Sequence, residues 1–153
     1  MKTQKTKLDH IDFKILNELQ INGKISNVEL AQLVNISPPS CLRRVKALED
    51  AKFINGYNAD VNAELLGFKV TVFAYVGLES QAESDLQTFE KYISIFPEVR
   101  ECYMLIGEVD FLLKIVAKDW DEFQKFLTAK LTQAPKVSNV KTSLNIRCVK
   151  SLP

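Results

Sequence analysis

Arg43, Arg44 and Lys46 stand together in the stretch PPSCLRRVKALED, residues 38–50. Their side chains offer charge and hydrogen bonds to a polyanion, and an arginine can donate two parallel bonds to guanine O6 and N7. That chemistry needs a rigid rod that holds the cations on one side. At about 100° per residue, a helix over Pro38–Asp50 gathers Cys41, Leu42, Val45 and Leu48 on one face. Pro39, Ser40, Arg43, Ala47 and Asp50 gather opposite, with Arg44 and Lys46 on the two edges. Arg43 then points straight outward, and Ser40 lies one turn nearer the end that usually meets base edges. Arg44 and Lys46 are placed for phosphates on either wall of a groove. The candidate contacts to double-stranded DNA are Ser37, Pro39, Ser40, Arg43, Arg44, Lys46 and Ala47.

A second constellation is Gly107-Glu108-Val109-Asp110. Glycine permits a positive φ and a close backbone approach. Exposed N–H groups of such a loop can hold a carboxylate, and Glu108 or Asp110 can accept from an ammonium group. Together they suit a free amino acid. Taken alone, the same residues also describe a plain hairpin turn.

The elements that must position these groups follow from periodicity. Leu8, Ile11, Ile15, Leu16 and Leu19 mark one face of a helix, with Asp9 and Asp12 near its start and Asn22-Gly23 at its end. Ser26 and Glu29 form a capping box for a short second helix that is expected to bury Val28, Leu30, Ala31 and Leu33. After a turn at Asn35-Ile36, Ser37 caps the third helix and Pro38 takes its first position. Ile54 to Val61 reads as extended, either a wing or a connecting strand, and Asn62 to Gly67 as a hinge. The expected domains are 1–63, a helix-turn-helix with its connecting strand, and 64–153.

Beyond Phe68 the period changes. Strands are expected at Val70–Leu78, Val99–Ile106, Asp110–Ala117 and Val137–Lys150, with helices at Ala82–Phe96 and Trp120–Leu131. The order β-α-β-β-α-β is the ferredoxin-like arrangement, so the fold class is α+β. The strands are apolar on both faces, whereas two helices cover one. In the first, Val70, Val72, Ala74 and Val76 point one way and Phe73 and Tyr75 the other, and Tyr103, Leu105, Leu112 and Val116 continue the pattern in the next two. The aromatic-rich face calls for a cover, either a second copy related by a two-fold axis or the N-terminal domain.

Composition narrows the class. The net charge is +1, but residues 1–56 carry 9 Lys/Arg against 6 Asp/Glu, and the remainder carries 11 against 13. Any DNA contact therefore belongs to the N-terminal part. No apolar run approaches a membrane span, and the basic start MKTQKTK lacks the apolar stretch of a signal peptide. Three scattered cysteines read as reduced thiols of a cytoplasmic protein. His10 is the single histidine. With it, the cysteines form no metal site, and no catalytic triad, P-loop or dinucleotide fingerprint occurs. No cofactor and no catalytic residue is assigned.

LDHIDFKILNELQINGKISNVELAQLVNISPPSCLRRVKALE, followed by FINGY, resembles the N-terminal domain of the Lrp/AsnC (feast/famine) transcriptional regulators. GEVDFLLK resembles their Gly-Asp-x-Asp-Tyr-Leu-Leu segment. The resemblance runs through the chain and is nearest the leucine-responsive branch. It implies a transcriptional regulator, not an enzyme, whose assembly and DNA occupancy are tuned by an amino acid. It implies a homodimer that builds tetramers or octamers. It places the effector where dimers meet, beside Met104, Gly107, Glu108, Val109 and Asp110, with Trp120, Thr142, Ser143 and Leu144 as walls. Trp120 is equally explained as a packing residue at a helix start. Two departures stand out: Lys52 where the family usually has Gly, and Glu108 in place of the first Asp. Sirohaem decarboxylases resemble the same family but are expected to use histidine in the second domain, where this chain has none. A stand-alone small-molecule sensor is the other alternative, and the intact helix-turn-helix segment argues against it.

Overall fold

The computed structural model describes residues 7–150; the ends, including most of the basic N-terminal stretch, lie outside the described residues. Contacts divide the chain into two units, the first ending at Asp60 and the second spanning Val61–Lys150.

The first unit has three helices, α1 (His10–Ile21), α2 (Asn27–Leu33) and α3 (Pro38–Asp50). Both predicted acidic residues act at the start of α1. Asp9 accepts from the backbone N–H groups of Ile11 and Asp12, and Asp12 accepts in return from the Asp9 N–H. Ser26 and Glu29 form the expected box on α2. Asn35 follows α2 at φ 57°, and the N–H groups of Asn35 and Ile36 reach back to the Gln32 and Ala31 carbonyls. This closing turn swings the chain into α3.

The core of this unit is Ile15, Leu30, Ala31, Val34, Cys41 and Leu48. Val28 and Leu33, expected inside, are exposed. The helical period explains the exchange: Leu30, Ala31 and Val34 share a face at i, i+1 and i+4, and the flanking residues turn away. Residues 54–61, expected as a wing or strand, are irregular, and the described residues of this unit contain no strand.

The second unit holds β1 (Val70–Leu78), α4 (Glu83–Ile93), β2 (Val99–Met104), β3 (Phe111–Ala117), α5 (Trp120–Phe126) and β4 (Val137–Leu144). The sheet is antiparallel in the order β2-β3-β1-β4, which is the ferredoxin-like topology. One face, with Val72, Ala74, Val76, Leu113 and Ile115, is buried together with Phe89, Ile93, Phe123 and Phe126. Phe73, Tyr75 and Leu112 alternate with these on the other face and are half-buried, whereas Tyr103 is exposed there.

Several boundaries differ from expectation: α4 spans Glu83–Ile93 instead of Ala82–Phe96, β2 ends at Met104 instead of Ile106, and three others have visible causes. The last helix changes after Phe126 into a π-helical turn, Leu127–Leu131, in which the Thr132 N–H bonds the Leu127 carbonyl. Strand β4 stops at Leu144 instead of Lys150. Its partner β1 begins at Val70, and one further bond, Asn145 N–H to the Thr71 carbonyl, exhausts the pairing. Strand β3 begins at Phe111, because Asp110 closes the hairpin by accepting from the Leu105 N–H.

Candidate nucleic-acid interface and effector site

Helix α3 is fixed at both ends by its own sequence. Pro38 and Pro39 occupy its first two positions and have no N–H to satisfy. Ser37 consequently makes no side-chain capping bond. The Asn27 amide instead donates to the Pro38 carbonyl at 2.9 Å and ties the start of α3 to α2. At the other end Lys52, a non-glycine residue that had either to turn left-handed or to let the helix end differently, takes the left-handed conformation at φ 63°. The Phe53 N–H bonds the Leu48 carbonyl and the Lys52 N–H bonds the Glu49 carbonyl, a Schellman closure. Beyond it, the Tyr57 hydroxyl donates to Glu49 at 2.8 Å. Burial, with the Glu49 carboxylate beside it, pushes the Tyr57 phenol up to about 12.

The outward arc of α3 presents Pro39, Arg43, Lys46 and Ala47, all exposed, with Ser37 exposed at its start and Ser40 half-buried. Arg43 and Lys46 make no hydrogen bond or ion pair among the described residues. Arg44 differs from the expectation of a phosphate contact. Its Nη1 lies 2.9 Å from Asp9 and 2.7 Å from Asp12, joining α3 to the start of α1. Hydrogen bonds to those two carboxylates raise the guanidinium pKa further. Thirty-two residues separate Arg44 from Asp12, so no local pattern announces the pair. Leu42, expected in the core, is 59% exposed. At about 100° from Cys41 it falls beyond the buried stripe of Cys41, Val45 and Leu48.

The hairpin Leu105–Asp110 joins β2 to β3. Gly107 takes φ 155°, and a Cβ there would meet nothing within 4 Å, so its glycine serves conformation and not space. Glu108 is exposed. Asp110, expected to face a ligand ammonium, is 7% exposed. One carboxylate oxygen accepts from the Leu78 N–H at 2.7 Å and the other from the Gln81 amide at 3.1 Å, while its own N–H bonds the Val76 carbonyl. Asp110 thus bolts the hairpin to the end of β1, and Gln81, its partner, carried no signal in the sequence.

The expected effector residues fall into two groups. Met104, Gly107, Glu108, Val109 and Asp110 lie at the end of the sheet where β3 begins. Trp120 follows the opposite end of β3, about 20 Å away for a strand of this length. Thr142, Ser143 and Leu144 pair with Ala74, Phe73 and Val72 on β4, the far edge strand from β2. One copy does not bring the two groups together. Trp120 is 52% exposed, with its ring 5.2 Å from that of Phe123. On the open face of the sheet, Glu101 accepts from both Lys114 and the Tyr103 hydroxyl, each at 2.8 Å.

Among the described residues no group of His, Cys, Asp and Glu could hold a metal ion, and no helix is long and apolar enough to cross a membrane.

Residues 8–55 match a family model described as winged helix-turn-helix DNA-binding, and residues 71–153 match the Lrp/AsnC ligand binding domain. The leucine-responsive regulatory protein of Rhizobium meliloti is 48% identical over 146 residues, 95% of this chain and 94% of that one. The Bkd operon transcriptional regulator of Pseudomonas aeruginosa is 39% identical, covering 93% of each chain. Among solved structures, a transcriptional regulator of Neisseria meningitidis in complex with L-Met superposes with a TM-score of 0.90 at 34% identity, covering 95% of this chain and 94% of that one.

Proposed function

The chain belongs to the Lrp/AsnC family of transcriptional regulators, and from that premise we propose that it binds specific DNA sequences through α3 and changes its assembly and DNA occupancy when an amino acid binds. The observation that carries the DNA reading is the pair of uncommitted cations, Arg43 and Lys46, on a helix held rigid at both ends. Arg43 reads a guanine and Lys46 meets a phosphate. Ser37, Pro39, Ser40 and Ala47 line the same surface. Arg44 supports it from behind by fixing α3 on α1. A regulator of this kind works where the chromosome is, in the cytoplasm.

The open face of the sheet is the contact between two copies. Phe73, Tyr75, Tyr103 and Leu112 supply its apolar area, and a two-fold axis lets the same face cover itself. The effector binds where such dimers meet again, as tetramers or octamers form. What supports this is the separation of the two residue groups described above: a site that uses both must draw them from different copies. The backbone of the Gly107 hairpin and the exposed Glu108 face the amino acid's charged groups, Met104 and Trp120 its side chain. Ligands to try first are leucine, from the names of relatives, and methionine, from the Neisseria complex. A ligand shared between copies favours the assembled state, and so shifts DNA occupancy by about 1–3 kcal/mol.

Fluorescence anisotropy on a duplex selected from random DNA tests the first part. Arg43→Ala is expected to weaken the selected duplex by about 1–3 kcal/mol and spare random DNA, and Lys46→Ala to weaken both and lower the salt slope by about one. Indifference of selected and random DNA to Arg43→Ala would remove α3 as the reader. Calorimetry with the twenty amino acids, paired with sedimentation, tests the second. Absence of heat with every one, or heat without a change in assembly, refutes the proposed linkage.

A further inference from the structure

Leu42 is out of place for a core residue and well placed for another task. It is 59% exposed in the N-terminal half of α3, with exposed Pro39 one turn before it. Its flank lies away from Arg44, which is bound to α1. Arg43 and Lys46 border it, both exposed and both cationic. Glu49, two turns further along the same flank, is engaged by the Tyr57 hydroxyl. The surface around Leu42 is therefore apolar within a basic border, which suits a polyanion carrying apolar groups. The major groove displays one apolar group, the C5-methyl of thymine. We propose that Leu42, with Pro39 beside it, reads a thymine methyl next to the base contacted by Arg43, and so is a specificity-determining residue.

The proposal rests on the DNA-reading role of α3 given above. Leucine offers no hydrogen bond, so it cannot distinguish bases by their donors and acceptors. It gains only when a methyl group is buried against it, and loses that gain when the methyl is replaced by hydrogen. Truncating the side chain leaves Cys41, Val45 and Leu48, which hold α3 to its unit, untouched.

The test uses the full chain and the duplex recovered by selection, with each thymine in turn replaced by uracil, which removes the methyl and nothing else. Wild type is expected to bind roughly fourfold more weakly when the contacted thymine in a half-site becomes uracil, the worth of one buried methyl. Leu42→Ala is expected to bind the thymine and uracil forms alike, with an unchanged melting temperature. Indifference of the wild type to every replacement, or a uracil effect that survives in Leu42→Ala, overturns the proposal. So does a change in sedimentation of DNA-free Leu42→Ala, which would assign the leucine to a contact between copies. Discrimination of selected from random DNA, and its loss in Arg43→Ala, report separately on whether α3 reads DNA at all.

Discussion

Replacing Asp110 separates a ligand contact from a structural bolt. Its carboxylate is buried and accepts two bonds, from the Leu78 N–H at 2.7 Å and the Gln81 amide at 3.1 Å. A hydrogen bond to a charged acceptor contributes about 1.5–3 kcal/mol, and a buried donor left without a partner costs a similar amount. The Leu78 bond is the buried one; the Gln81 bond is only partly buried and contributes less. Asp110→Ala is therefore expected to destabilise the second unit by roughly 3–4 kcal/mol. Asp110→Asn keeps an acceptor for the Leu78 N–H and loses about 1 kcal/mol through the remaining amide, once Gln81 turns its carbonyl toward it. Trp120 is the single tryptophan and lies in this unit, so its fluorescence during urea unfolding reports the loss directly. The amino-acid response, measured by calorimetry on the folded Asp110→Asn protein, should persist. The reasoning fails if Asp110→Ala unfolds at the wild-type urea concentration. It fails equally if stable Asp110→Asn no longer binds any amino acid, since the carboxylate would then be a ligand contact.

Further perturbations test other parts of the account. Arg44→Ala should lower the melting temperature of the first unit while leaving the salt slope of DNA binding unchanged; a slope reduced by about one, as for Lys46→Ala, would return Arg44 to the phosphates. Lys52→Gly should stabilise that unit by about 0.5–1 kcal/mol, the relief of a left-handed side-chain residue less the extra freedom of glycine when unfolded. Loss of stability by circular dichroism would contradict the Schellman closure. Burial works to raise the Glu98 pKa, but the hydrogen bond from Lys130 at 2.6 Å and a backbone bond hold it below its ordinary 4.5. Its contribution is thus present above pH 4.5 and is lost as pH falls through the lower folded value. Lys130→Met should accordingly destabilise at pH 7 and progressively less below pH 4.5; a pH-independent difference would show that the ion pair is not what Lys130 supplies.

Much of this molecule is local, and local features were legible. The Ser26–Glu29 box, the prolines that open α3 and the β-α-β-β-α-β order each depend on residues a few positions apart. Hydrogen bonds and backbone conformations at that range leave a readable spacing. The two faces of β1 also followed from alternation, since Val72, Ala74 and Val76 occupy one and Phe73 and Tyr75 the other. Element ends were less legible. Strand β4 stops where its neighbour has no more backbone to offer, and α5 loosens into a π turn, neither of which its own residues dictate.

The roles of individual side chains divide in the same way. Sequence alone determined that a basic helix opened by prolines faces outward and that a glycine hairpin joins the second and third strands. It could not determine that Arg44 belongs to α1, because its partners Asp9 and Asp12 are distant in the chain and meet it only when α1 and α3 pack. Nor could it place Asp110 inside, since a carboxylate enters the interior only where donors await it, here the Leu78 N–H and Gln81. Leu42 is the converse: an apolar residue assigned to the core by helical periodicity, left outside because it falls beyond the stripe of Cys41, Val45 and Leu48 that the other helices cover. Residue type states what a side chain can do, and tertiary packing decides which partner it meets, because burial and hydrogen bonding are properties of the surroundings that distant segments supply.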